Sequence, residues 1–476
     1  MDNCKPITLT ESQQKAYDKL INFVGNDSLR IFILKGYAGT GKTTLMKKFI
    51  ELLNKDHKRF RLLASTGRAA KILSNATGYE AHTIHGIIYK YNGLNLDLDE
   101  VVKKRELSDV DDSGQLFLNF NLCMNKDKDS TIYIVDESSM VSDVEDKTAT
   151  QALFGSGRLL KDLLEYDKMG KFVFVGDICQ LPPVTQKISP ALSSDYLYNT
   201  FECKVEEAEL TDVVRQSKGN DIVVSASRVR KLYYSPQPYK WAKFPLKGYK
   251  NIHLVNNQME LVSQYIDDVK TSGYNEATLI GYSNRQCDVL TRLIRPSIGL
   301  SSPTLSIGDL LLITQNNYIS GLMNGDQVVV EDVSVQERRA GLTFVKVTVK
   351  ELFTGKSYTQ FIISEIIYNN QTNLTQPQQK ELLIDFYYRM RDKGIRQQSD
   401  QFNEMMMKDP YLNAIRAIYG YALTCHKAQG GEWNRVYLDI PRNLPGVEKP
   451  YVYQWVYTAM TRAKIEIFTV DDFWVM

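Results

Sequence analysis

Short apolar runs alternate with amphipathic stretches through the first two hundred residues. Ile31–Leu34, Arg61–Ala64, Thr131–Val135 and Phe172–Val175 have the length and the β-branched or aromatic content of buried strands. Helical spacing surrounds them: Ala16, Leu20, Ile21 and Val24 before the first run, Leu45 to Leu53 after it, and Ile72 and Leu73 after the second. Such alternation predicts a parallel, doubly wound sheet with ligands at the carboxyl ends of its strands. A helix through Ile222, Val223, Ala226, Val229 and Leu232 follows, then a linker with Pro236, Pro238 and Pro245. Ile252–Val255 and Thr278–Asn284 then open a second sheet, which the last strand, Ile465–Val470, completes. Beyond Pro303 the pattern turns to short strands, Leu310–Thr314, Gln327–Asp332, Thr343–Lys350 and Tyr358–Ile363, separated by Asn-Gly-Asp and Thr-Gly-Lys turns. These predict a small antiparallel barrel. Asn369–Met407 is polar, aromatic and helical in character, which fits an extended projection. Between Gly86 and Lys128 the chain is polar, with one alternating patch at Leu116–Leu122 that predicts an inserted hairpin.

Composition narrows the classes. At 476 residues the chain exceeds the range of a single core, so several subdomains are expected. Lysine and arginine total 58 against 56 acidic residues, so any contact with nucleic acid must be local rather than polybasic. Six cysteines without a Cys-x-x-Cys pair favour neither a zinc ribbon nor a disulfide framework and fit a reducing cytoplasm. No apolar run has the length of a membrane span, and the N-terminus lacks a signal pattern.

The chemistry concentrates after the first apolar run. Gly36-Tyr37-Ala38-Gly39-Thr40-Gly41-Lys42-Thr43-Thr44 has the spacing of a phosphate-binding loop between a strand and a helix. Its glycines free the backbone to point N–H groups at phosphate, Lys42 reaches the β- and γ-phosphates, and the Thr43 hydroxyl completes a magnesium shell. Upstream, Thr10 caps a helix on which Gln13 is either part of an amphipathic surface or a reader of the adenine edge. At the end of the Thr131–Val135 run stand Asp136, suited to hold magnesium directly or through water, and Glu137, suited to orient or deprotonate the attacking water. Gln180 is placed to sense the γ-phosphate, and Pro182 and Pro183 stiffen the loop that follows. The charge on that phosphate calls for cations from elsewhere in the chain, and Arg215 and Arg462 are the candidates.

In this order the blocks resemble the motifs of superfamily 1B DNA helicases, specifically the RecD-like and Dda-type branch, over nearly the whole chain. Leu9-Thr10-x-x-Gln13 is similar to the Q-motif, which favours adenine for Gln13. Ser65–Lys71 and Thr83-Ile84-His85 resemble strand-contacting motifs, Asp136-Glu137 a Walker B pair, and Gly176–Pro183 motif III. Arg215 falls in the motif IV position, Thr424–Glu432 in motif V and Thr458–Ala463 in motif VI. The resemblance implies two RecA-like domains, at 1–85 with 129–205 and at 206–302 with 418–476, that bind ATP and Mg2+ between them. It implies a separating pin at 86–128, with Phe117 and Phe120 at its apolar tip, and an SH3-like insertion with a helical projection at 303–417. Glu432 joins the nucleotide contacts, and Thr66, Gly67, Arg68, His82, Thr83, His85, Pro182, Pro183, Asn284, Thr424, His426 and Lys427 become the expected DNA contacts. Single-stranded and forked DNA are the implied partners, with single-strand-binding or replication and repair proteins beside them, and the chain is expected to act as a monomer moving 5′ to 3′. A remodelling translocase stimulated by DNA and an RNA helicase are the alternatives. No nuclease or relaxase motif is present, so a place in a nuclease complex is not expected.

Overall fold

The computed structural model describes residues 9–95, 97–107, 118–125, 130–145, 152–184, 186–212, 220–317, 319–369, 371–397 and 399–476. Two parallel sheets form its frame. The first has six strands in the order Ala81–Thr83, Phe60–Ala64, Ile132–Asp136, Lys171–Gly176, Ile31–Gly36 and Val205–Leu210. Its central strands are covered on both faces, which is why they read as unbroken apolar runs. The second has five, ordered Ile252–Val255, Ala463–Val470, Trp433–Leu438, Ala277–Gly281 and Ala422–Thr424. These are the two RecA-like folds implied by the sequence, and each keeps its loops of chemical interest at the strands' carboxyl ends.

The strands after Pro303 form an antiparallel sheet in the order Ser357–Ile363, Leu342–Glu351, Gln327–Arg339, Leu310–Ile313 and Ala417–Tyr419. Its two edges meet, because Ile415 N–H donates to Phe361 O (2.7 Å) and Ile363 N–H to Ile415 O (3.2 Å). The closed surface encloses Leu311, Ile313, Val328, Val330, Val347, Val349 and Ile362. The helices Gln376–Asp392 and Asp400–Lys408 project from it.

The hairpin expected between Gly86 and Lys128 is present as Tyr89–Leu94 paired antiparallel with Leu118–Leu122. A third strand, Ala152–Phe154, lies outside the expected boundary and runs parallel to Leu118–Leu122. Three residues are too few for periodicity to reveal it. The intervening helix Leu98–Leu107 buries Leu98, Val101 and Val102 against Leu383, Phe386 and Met390 of the projection. No helix among the described residues is long and apolar enough to cross a membrane, and the five described cysteines are all free.

Candidate nucleotide site and nucleic-acid interface

The phosphate loop leaves the strand Ile31–Gly36 and enters the helix Lys42–Lys55. Gly39 (φ 81°) and Gly41 (φ 80°) occupy the left-handed region, so the turn demands residues without a Cβ there. A Cβ at Gly41 would also collide with the Gln13 amide. Gln13 is buried behind the loop. Its Nε2 donates to Thr40 O (2.9 Å) and its Oε1 accepts from Thr10 N–H (3.0 Å), so both ends of the amide are engaged within the chain as a brace for the loop. Thr40 is buried and donates to Tyr37 O (2.8 Å), whereas Thr43 and Thr44 are exposed on the first helical turn. Lys42 Nζ spans the loop, donating to Gly36 O (2.7 Å) and Tyr37 O (3.2 Å).

Asp136 and Asp177 face this lysine from neighbouring strand ends, with Glu137 beside them as a third carboxylate. Burial, reinforced by the adjacent Glu137 charge, pushes the Asp136 carboxyl up to about 6, against the pull of Lys42. Asp136 Oδ1 accepts the Glu137 N–H (2.9 Å), and Glu137 itself sits at φ 50°, a strained conformation of the kind stored at reactive sites. Asp177, to which the motif assigns no separate role, is buried just after Lys171–Gly176. Desolvation raises its pKa while Lys42 and Tyr457 oppose the rise. A half-buried carboxylate and an exposed hydroxyl beside a phosphate loop are the protein donors that magnesium takes when phosphates fill the rest of its shell, so Asp136 and Thr43 fit that ion.

The second sheet closes on this loop through one helix face. In Tyr451–Met460, residues 454, 457 and 458 share a side. The Tyr457 hydroxyl donates to Asp177 Oδ2 (2.7 Å) and accepts the Ala38 N–H (3.1 Å), joining the phosphate loop to that carboxylate. Thr458 Oγ1 accepts the Leu181 N–H (2.9 Å), and Gln454 Nε2 donates to Gln180 O (3.2 Å) and Ile178 O (3.3 Å). From the loop after Ala422–Thr424, Gln429 Nε2 donates to Leu181 O (3.2 Å). Gln180 is thereby held by its backbone, with its side-chain Oε1 buried and unpaired, and Pro182 and Pro183 are buried beside it. A second grip comes from the helix Asp221–Tyr234. The Arg230 guanidinium stacks 3.6 Å from the Tyr37 ring, whose hydroxyl also meets Tyr234 (3.2 Å) and Glu209.

The other face gathers the expected strand contacts. Thr66 caps the helix Gly67–Thr77 through Ala69 N–H, and Thr424 caps Cys425–Ala428 through Lys427 N–H. Asn284, Thr424 and Lys427 line one cavity, and burial lowers the Lys427 pKa as it does that of His426. No ion pair to Lys427 exists among the described residues, which leaves its charge available to a phosphate. Gly67 and Arg68 are placed differently from expectation. Met323 of the barrel covers Gly67, and Arg68 is half-buried, stacked 4.3 Å from the Trp433 ring and bonded to Gln327 Oε1 (3.5 Å). His82 pairs with Glu80 (3.7 Å), Thr83 caps Ile84–Ile88, and His85 packs edge-on to Phe154 at 5.3 Å.

Residues 8–231 match the AAA domain family, and residues 419–470 match the UvrD-like helicase C-terminal domain. The ATP-dependent DNA helicase Dda of enterobacteria phage T4 is 24% identical, the alignment covering 97% of this chain and 99% of that protein. The ATP-dependent RecD2 DNA helicase of Deinococcus radiodurans is 23% identical over 98% of this chain, which spans 49% of RecD2. Among solved structures, a Bacteroides Pif1 helicase shares 18% identity at a TM-score of 0.49, over 98% of this chain and 93% of that one. These matches and relatives support the resemblance to superfamily 1B helicases of the RecD/Dda/Pif1 type that the motifs carry.

Three expectations drawn from this family need placing or correcting. Phe120 is no exposed pin tip: it is 7% exposed, stacked on Phe154 at 4.7 Å and edge-on to Tyr91 at 5.6 Å, because the unexpected third strand covers its face of the hairpin. Phe117 and Arg215 lie outside the described residues. Arg462 is buried and turned toward its own lobe, donating to Thr458 O (3.0 Å), Gly431 O (3.3 Å) and Thr461 Oγ1 (3.1 Å), with Glu432 following in that loop. Among the described residues, Arg230 is a cation of the second lobe that does touch the phosphate loop, and it carried no motif signal.

Proposed function

We propose that this protein is an ATP-dependent DNA helicase that moves 5′ to 3′ along a single strand and separates duplex ahead of it. The observation that carries the reading is the Tyr457 hydroxyl, bonded at once to a phosphate-loop N–H and to Asp177. Hydrolysis at such a loop is felt directly by a helix of the other lobe, and two lobes that sense one phosphate are what stepping requires. In this mechanism the loop N–H groups and Lys42 hold the phosphate chain, Glu137 orients the attacking water, and Arg230, with Arg215 and Arg462 after closure, quenches the charge of the transferring phosphoryl group. Mg2+, held by Thr43 and Asp136, would neutralise phosphate oxygens. The loop Asp177–Pro183 relays the state to the strand, which the Thr424–Lys427 and Thr66 helix starts hold by its phosphates. The domains follow the boundaries drawn from sequence except at three places: Val205–Leu210 pairs with Ile31–Gly36 and so belongs to the first lobe, Ala417–Tyr419 belongs to the barrel, and Ala152–Phe154 joins the strand-separating insertion.

The test is ATP-dependent unwinding of matched duplexes with a 5′ or a 3′ single-stranded tail, with Lys42→Ala as the inactive control. Selective opening of the 5′-tailed duplex is the expected result. Preference for the 3′ tail would reverse the polarity, and strand-stimulated hydrolysis without opening either duplex would make the protein a remodelling translocase.

A further inference from the structure

Arg416 is buried at the junction of barrel, projection and insertion, 5% exposed, and among the described residues its guanidinium has no carboxylate partner. Its acceptors are three neutral amides: Gln315 Oε1 (2.6 Å), Asn373 Oδ1 (2.7 Å) and Gln379 Oε1 (3.0 Å). Burial without a counter-charge pulls its pKa down to about 9. Other arginines in this half of the chain are treated differently. Arg295 has Asp309 at 2.7 Å, Arg339 has Asp385 at 3.1 Å, and Arg389 has both Asp385 and Asp409. A buried cation held by neutral oxygens is costly unless a further anion reaches it.

Position indicates the anion's source. Arg416 precedes the strand Ala417–Tyr419 and lies on the same side as Ile418, two residues on. Ile418 and Thr372 wall the cavity that holds Asn284, Thr424 and Lys427, and Asn373, next to Thr372, accepts from Arg416. On its other side Arg416 walls a second cavity with Gln379 and the insertion's Leu118 and Phe120. That cavity has a volume of about 50 Å³, and Gln315, Asn317 and Asn413 add polar groups to the wall around Arg416. Arg416 therefore stands between the Lys427 cavity and the insertion read as the strand separator.

We propose that Arg416 binds a phosphodiester of the translocated single strand, between the contacts of the second RecA-like lobe and the separating insertion. The amides Gln315, Asn373 and Gln379 fix the guanidinium plane, and the strand supplies the missing charge when it is bound. This inference rests on the reading of the protein as a single-strand translocase.

The experiment is fluorescence-anisotropy binding of a labelled oligothymidylate at several salt concentrations, together with thermal melting, for the full chain and two variants. Gln379→Glu gives Arg416 a carboxylate of its own and needs no cavity, so it should raise the melting temperature. Because that carboxylate takes the place of the phosphate, affinity for the strand should fall about tenfold and the slope of log affinity against log salt should shrink by about 0.7. Arg416→Gln should lose the same slope. A more stable Gln379→Glu protein that binds the strand with wild-type affinity and slope overturns the proposal, leaving Arg416 a structural residue. So does a wild-type melting temperature raised by inorganic phosphate and unmoved by the oligonucleotide, which would make a free anion the occupant. Failure of the wild-type chain to bind any single strand would instead overturn the translocase reading itself.

Discussion

The Asp136 carboxyl ionises near pH 6 because burial and the Glu137 charge both disfavour its anion. Its folded pKa stands above the ordinary carboxylate value, so the folded chain holds more protons than the unfolded one between about pH 4 and pH 6. Its share of stability is therefore present at low pH and lost as pH rises through the folded value. Asp136→Asn removes the ionisation while keeping the shape, and should melt higher than wild type at pH 7.5 and level with it near pH 4. Equal melting temperatures at pH 7.5 would place the strain elsewhere. For ligand binding the sign reverses. A protonated Asp136 cannot hold a cation, so the Mg2+ concentration needed for half-maximal ATP hydrolysis should climb as pH falls below 6. A Mg2+ titration repeated at pH 5.5, 6.5 and 7.5 checks this.

At the scale of elements, the helix Tyr451–Met460 holds the loop Asp177–Leu181 through three side chains on one face, Gln454, Tyr457 and Thr458. Tyr457→Phe preserves the packing and deletes both hydroxyl bonds, leaving Asp177 one donor short at a cost of about 2 kcal/mol. We expect a modest loss of stability, a nearly unchanged KM for ATP and a kcat at least tenfold lower, with stimulation by single strands lost first. A variant whose KM and kcat move together would point to a general loosening of the cleft. The parts of this site that sequence made legible are those whose signals are local. The phosphate loop is a fixed spacing, and strands buried on both faces are continuous apolar runs. The parts it hid depend on partners far along the chain. Tyr457 lies 280 residues from Asp177, and nothing around Arg230 marks it as the residue that will stack on Tyr37. For Phe120 the alternating pattern identified a face without saying that Ala152–Phe154 would cover it. Arg68 and Arg462 were read as contacts for phosphates, but the surfaces that cover them belong to the barrel, Trp433 and the Gly431 loop.

Across the whole molecule, the barrel is fastened to the first RecA-like lobe at the helix whose start is expected to meet the strand. Lys71 Nζ lies 2.6 Å from Asp326 Oδ2 and 3.6 Å from Glu351 Oε1, and both carboxylates are buried while Lys71 retains some exposure. The Lys71 ammonium, with the Arg68 guanidinium near both, balances two buried acids, and desolvation raises the Asp326 pKa against the pull of Lys71. Met323 seats on Gly67 beside this pair, so the barrel covers the helix start that carries Thr66 and Arg68. A strand entering from the side must displace this contact, whereas one threading from an end need not. Lys71→Met removes the cation bonded to the acids, leaving only Arg68 near them, and should destabilise the fold by about 3 kcal/mol, read as a lower urea midpoint with an unchanged slope. If side entry is the route, the same variant should load single strands faster in stopped-flow mixing, and most clearly on a circular strand that has no end to thread. Faster loading confined to linear strands would mean that the barrel stays closed during loading and that Lys71 serves stability alone.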